Sequence, residues 1–172
     1  MATLYLIRHG EPELRGVFLG RMDSPLSAAG HRDVKCGLAG IEVKVTYTSP
    51  LSRAWQTAAY LRCAETIQVP DLCELGQGDW TGKTWAEIEA GWSDIARLKS
   101  ADWLGITAPG GESWDCLMQR VSKVWETIRK GPEPCAVVAH QGVNAALASL
   151  ISETNPLQFA QQYGEVIRFE YA

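Results

Sequence analysis

Leu4-Tyr5-Leu6-Ile7-Arg8-His9-Gly10 is a short apolar run that stops at a cation, an imidazole and a glycine. Such a run, with no polar alternation, marks a strand buried on both faces. Cys135-Ala136-Val137-Val138-Ala139-His140-Gln141-Gly142 repeats the pattern and is the purest apolar run in the chain. Val43–Thr48 is β-branched and aromatic and predicts another strand, with Thr66–Val69 and Val166–Tyr171 as two more. Between these runs the apolar spacing turns helical. Ser27 to Leu38 predicts a helix with Ser27 as N-cap and Gly40 beyond its end. Ser49-Pro50 opens a second, as N-cap and first helical residue, with Leu51, Ala54, Trp55, Ala58 and Leu61 on its buried face. Thr84–Lys99, Glu112–Lys130 and Gln141–Ile151 predict three more, and Pro156–Gln162 a short one. Leu72–Gly82 and Ser100–Gly111 read as irregular. Strands alternating with helices predict an α/β protein: a three-layer α/β/α sandwich with a mostly parallel central sheet and Cys135–Ala139 at its centre.

The chain has 172 residues, the length of one domain spanning 1–172. It carries 16 Lys+Arg against 20 Asp+Glu, a formal net charge of −4. That balance excludes binding nucleic acid through bulk charge. No apolar run approaches the ~18–20 residues of a membrane span. Met1–Arg8 lacks the charged leader and long apolar core of a signal peptide. The five cysteines form no CxxC, and they read as reduced thiols of a cytoplasmic protein.

The two strand-end histidines carry the chemistry. In open α/β sheets ligands bind beyond the carboxyl ends of the strands, so His9 and His140 should emerge at one edge with Arg8 beside them. A helix N-terminus carries about half a positive charge and prefers acidic neighbours. The helix opening at Pro50 has none in its first turns and carries Arg53 instead. The helix opening at Gln141 has none until Glu153. Free amides plus arginine make an anion site, above all for phosphate. Arg8, His9, Arg53 and His140 include no acid, and the chain has no HxH, HxxxH or CxxC. No metal or other cofactor is therefore expected. His31 reads as an exposed helix residue without a role.

Leu6-Ile7-Arg8-His9-Gly10-Glu11 resembles the signature of the histidine phosphatase superfamily, the phosphoglycerate mutase-like family. Four further blocks resemble it in order. They are Gly20–Gly30, Ser49-Pro50-Leu51-Ser52-Arg53-Ala54-Trp55-Gln56-Thr57-Ala58, the segment from Glu74 to Gly78-Asp79-Trp80-Thr81-Gly82, and Gly110-Gly111-Glu112-Ser113 followed by Val138-Ala139-His140-Gln141-Gly142. The resemblance implies a phosphoglycerate mutase-like fold. It implies His9 as nucleophile through a covalent phosphohistidine, and Arg8, Arg53 and His140 as the clamp on the phosphoryl oxygens. Gln141 would join the phosphate site at the helix start. Glu74 would be the general acid and then the base for water. The arginines should hold His9 neutral and nucleophilic.

The sequence also departs from the pattern. Where many relatives carry a phosphate-reaching Asn, this chain has Pro12-Glu13-Leu14-Arg15, and Arg15 is the candidate substitute. His140-Gln141-Gly142 replaces the usual glycine after the late histidine and resembles the α-ribazole phosphatase branch. The reading is a phosphomonoesterase acting on a small phosphorylated metabolite, with α-ribazole 5′-phosphate as one candidate. The alternatives are a mutase, an inactive phosphate-binding module of the same fold, and a metal hydrolase. The sequence stops at Ala172, directly after the last expected strand, so without a lid water should reach the intermediate and hydrolysis is expected to win over mutase-type transfer. Oligomeric state stays open. Five tryptophans lie between Trp80 and Trp114. They either pack helices onto the sheet or stack on an aromatic leaving group.

Overall fold

A computed structural model describes residues 1–172. The elements run β1 (Ala2–Arg8), α1 (Ala28–Gly37), β2 (Glu42–Thr48), α2 (Ser52–Ala58), β3 (Arg62–Gln68), α3 (Trp85–Gly91), α4 (Ser93–Ala101), α5 (Trp114–Ile128), β4 (Cys135–Ala139), α6 (Gln141–Ser152) and β5 (Val166–Tyr171). One five-stranded sheet has the order β3-β2-β4-β1-β5. Its first four strands are parallel, and β5 runs antiparallel to β1. β4 is buried at every residue, as a strand covered on both faces must be.

The alternation along β4 divides the core. Ala136 and Val138 face the layer of α1 and α2, packing with Ile7, Val34, Leu38, Ala54 and Ala58. Cys135, Val137 and Ala139 face the layer of α5 and α6, packing with Leu117, Val121, Ile128, Val143 and Leu147. This is the expected three-layer α/β/α sandwich.

Several local expectations change. The second helix starts at Ser52 rather than Pro50, and Leu51 occupies its N-cap with no side-chain cap. The Ser49 hydroxyl is instead hydrogen-bonded to His140 Nε2 at 2.8 Å. The Thr84–Lys99 helix is two helices, because Trp92 adopts φ −140° and ψ 50° between them. Pro156–Gln162 holds a turn rather than a helix. Trp55, placed on a buried face by spacing, is 41% exposed. The tryptophans of the 80–103 segment do not pack onto the sheet. Trp80, Trp85 and Trp92 form a separate cluster with Phe18 and Ile88. Trp114 packs against the main core.

Candidate active site

Three neighbouring parallel strands, β2, β4 and β1, deliver Ser49, His140 and His9 to one edge of the sheet. The register sets Arg8 opposite Ala139. The His9 amide donates to the Ala139 carbonyl at 3.0 Å, and the Ser49 amide to that of Val138 at 3.1 Å. The two imidazoles thus come together, with ring centroids 5.1 Å apart.

The protonation of His9 follows from its surroundings. Its Nδ1 lies 2.7 Å from the Gly10 carbonyl oxygen. A carbonyl only accepts, so Nδ1 carries the hydrogen and Nε2 keeps its lone pair. His9 is 5% exposed. Burial, and next the charge of Arg53 and Arg8, push its pKa down to about 3. The arginines act as expected, but loss of hydration is the larger cause. His140, wholly buried, is held well below the ordinary imidazole range by burial and by the facing His9 and Arg53.

Both arginines are turned inward without a carboxylate partner. Arg53 is 1% exposed, and its Nη1 and Nη2 donate to the carbonyls of Met22 and Gly20 at 2.8 and 2.9 Å. Arg8 Nη1 donates to the Gln161 carbonyl. Arg8 Nε, Arg53 Nε and His140 Nδ1 are buried and have no partner. A buried polar group without a partner costs about 1–3 kcal/mol, so the two guanidinium Nε groups form a standing demand for an acceptor such as an oxyanion. A cavity of about 260 Å³ is lined by Arg8, His9, Arg53, Glu74, Gln141 and Tyr163. His140 lies behind His9 and does not line it.

Each of the two helix starts is met by an acid. Asp23 reaches α2, where its Oδ1 and Oδ2 accept from the Ser52 amide and hydroxyl, both at 2.7 Å. Glu74 reaches α6, where its Oε2 accepts from the Gly142 amide at 3.1 Å. Each acid is absent from the helix's own first turn and arrives from a segment distant in sequence. The Glu74 carboxylate sits so close that a Cβ on Gly142 would lie 2.6 Å from Oε1. Glycine follows the late histidine by two residues because that carboxylate occupies the space.

The structure brings Arg8, His9, Arg53, Glu74 and His140 together. Gln141 lines the cavity, but its side chain is engaged elsewhere: Nε2 donates to the Phe159 carbonyl at 2.8 Å, and Oε1 accepts from the Gln161 amide at 3.0 Å. Arg15 pairs with Glu11 at 3.0 Å, has 60% of its side chain exposed and stays out of the cavity. His31 is half-buried, with its Nδ1 2.9 Å from the Tyr60 hydroxyl.

Tyr163 was missed in sequence. Its ring lies 4.3 Å from the Arg8 guanidinium carbon and 5.6 Å from the His9 ring. The amide of Gly164 (φ 73°) donates to both the Arg8 and His9 carbonyls at 3.1 Å. A Tyr-Gly pair before the last strand signals that turn, but nothing local reveals what the turn touches.

The fold and site define an α/β sandwich with a cationic, anion-receptive pocket at the carboxyl edge of its parallel strands. The chain belongs to the histidine phosphatase superfamily (branch 1), whose family pattern matches residues 4–172. It is 30% identical over 180 residues to the 2,3-bisphosphoglycerate-dependent phosphoglycerate mutase of Brucella canis, covering 93% of this chain and 86% of that protein. It is 33% identical over 144 residues to the bifunctional protein Rv2228c of Mycobacterium tuberculosis, which involves 78% of this chain. That match spans only 39% of the relative's length. Among solved structures, the α-ribazole phosphatase of Shigella flexneri superposes with a TM-score of 0.83 at 24% identity, covering 98% of this chain and 90% of that one. No helix is long and apolar enough to cross a membrane.

Proposed function

We propose that residues 1–172 act as one domain that hydrolyses phosphomonoesters of small metabolites through a phosphohistidine on His9, without a metal ion. The observation that carries this reading is the Nδ1 contact to the Gly10 carbonyl at 2.7 Å. It leaves a neutral imidazole with Nε2 as the available nucleophile, beside two buried arginines that lack carboxylate partners. Nε2 attacks phosphorus and the ester P–O bond breaks. Arg8 and Arg53 at the cavity wall balance the charge on the phosphoryl oxygens, the main demand of such a transition state, while the neutral His140 packs against the His9 ring. Glu74 gives its proton to the leaving oxygen. In the second half Glu74 takes a proton from water, the water oxygen attacks phosphorus and the P–N bond breaks. Inorganic phosphate and neutral His9 result. Tyr163, 41% exposed at the cavity wall, leaves that side open to solvent, which supports water as the acceptor.

Rapid-quench labelling tests the reading, with p-nitrophenyl phosphate, α-ribazole 5′-phosphate and both phosphoglycerates as the substrate panel. Acid-labile phosphate should appear on the wild-type protein and be absent from His9→Ala. Chelator should leave the rate unchanged. Label on a serine or cysteine, or a rate restored only by zinc or magnesium, overturns the mechanism. Conversion of one phosphoglycerate to the other, faster than phosphate release, overturns the hydrolase assignment.

A further inference from the structure

A second cavity of about 190 Å³ adjoins the phosphate pocket and shares Glu74, Gln77 and Gln141 with it. Its walls include Leu75, Trp103, Leu104, Ile106 and Trp114. Glu74 therefore stands where a bound ester would cross from one cavity to the other.

The charged groups of this second cavity are already engaged. Lys99 Nζ donates to the Trp103 and Ile106 carbonyls and lies 5.1 Å from the Trp103 ring centre. Glu112 accepts from Arg120 at 2.7 and 2.9 Å, from Arg21 at 3.2 Å and from the Gly76 amide at 3.1 Å. No free cation is left to hold a second anionic group on the substrate. Trp103 is meanwhile 44% exposed, an apolar surface left uncovered at the cavity wall. The volume is below the roughly 300–1,000 Å³ of a pocket for a drug-sized ligand, so it takes one compact ring system.

We infer that this cavity holds the leaving group, and that the preferred substrates are phosphomonoesters of uncharged aryl or arylmethyl alcohols rather than of hydroxy acids or polyols. The inference rests on the phosphatase reading above.

The test compares benzyl phosphate with glycerol 3-phosphate and 3-phosphoglycerate. All three are alkyl esters, so leaving-group basicity does not dominate the comparison. Benzyl phosphate should exceed both in kcat/KM by at least about tenfold, the scale of burying one apolar side group. Trp103→Ala should lower the benzyl-to-glycerol ratio several-fold. A ratio near one, or preference for 3-phosphoglycerate, overturns the inference while p-nitrophenyl phosphate turnover still supports the phosphatase. Failure to hydrolyse any ester, p-nitrophenyl phosphate included, overturns the phosphatase reading itself. If Trp103→Ala fails to fold, the wild-type comparison decides alone.

Discussion

Glu74 is held by the backbone of Gly142, 68 residues further along the chain, through a 3.1 Å hydrogen bond from the first turn of α6. Its other oxygen accepts from the Leu75 amide at 2.8 Å. No side-chain cation pins it, so the place of the acid depends on a helix start and on the lack of a Cβ there. Gly142→Ala should separate folding from catalysis. Alanine is the better helix residue, and the atom it would crowd is the far end of a side chain that can move. Stability should stay level or rise, while kcat for an alkyl phosphate falls about 10- to 100-fold, part of the 10²–10⁴ that proton transfer contributes. Unchanged kcat in a folded variant refutes this account of Gly142.

Glu74→Gln keeps shape and hydrogen bonding but cannot move a proton. Nitrophenolate leaves unaided, so phosphorylation of His9 by p-nitrophenyl phosphate should stay near normal while attack by water slows. Stopped-flow absorbance should show a burst of about one equivalent of nitrophenol and then slow turnover. An alkyl ester should lose about 10²–10⁴-fold without a burst. Equal losses for both, with no burst, move the acid elsewhere.

The depressed pKa of His9 links to stability. In the unfolded chain this imidazole takes up a proton near pH 6.5; in the folded chain it does so near 3. Between those values the unfolded state binds more protons, so stability falls as pH falls. For His9 alone the loss from pH 7 to pH 5 is about 2 kcal/mol. Guanidinium unfolding should show that His9→Asn loses about 2 kcal/mol less than wild type over this interval. His140 acts in the same direction and remains in both proteins. Parallel pH curves contradict the assignment.

Asp23 caps α2 from outside, and the next residue after Ser52 is Arg53. Asp23→Ala removes the acceptor for the Ser52 amide and hydroxyl at once. The cost should be near that of a lost N-cap, about 1 kcal/mol or 2–4 °C in Tm. Inhibition by vanadate should weaken with it, because Arg53 is carried by that turn. Asp23→Asn should recover most of the stability. A loss of stability with vanadate inhibition unchanged would show that the cap does not position Arg53.

The two histidines were legible because strand burial and strand ends are local signals, and two apolar runs ended alike. Arg53 is legible from a helix start that lacks an acid in its own first turn. The missing acid was present in space as Asp23, which no local pattern joins to Ser52. Glu74, without the family resemblance, reads as an ordinary loop carboxylate, since its meaning lies in Gly142. Gln141 has a second task that its place beside the phosphate site does not reveal: its side-chain amide fastens the 159–161 segment. Through Gln161, which also accepts from Asn144 at 2.8 Å and donates to the Leu6 carbonyl at 3.0 Å, that segment brings Tyr163 over Arg8. Tyr163 itself was beyond reach, because stacking between residues 155 positions apart leaves no periodic trace.

The sheet order has a consequence for how the protein comes into being. β4 lies between β1 and β2, so those two strands are not joined into one sheet until residues 135–139 arrive and pair with both. A chain grown only to residue 130 would carry β1 with no partner on either side, β2 with one edge bare, and half of the histidine pair. Long-range insertion of this kind is slow, because loop closure precedes the contacts that reward it. Such edges invite pairing with other chains. Phosphate or vanadate binding during synthesis or refolding would therefore mark docking of the middle strand, and in this protein the ligand site would serve as a clock for completion of the sheet.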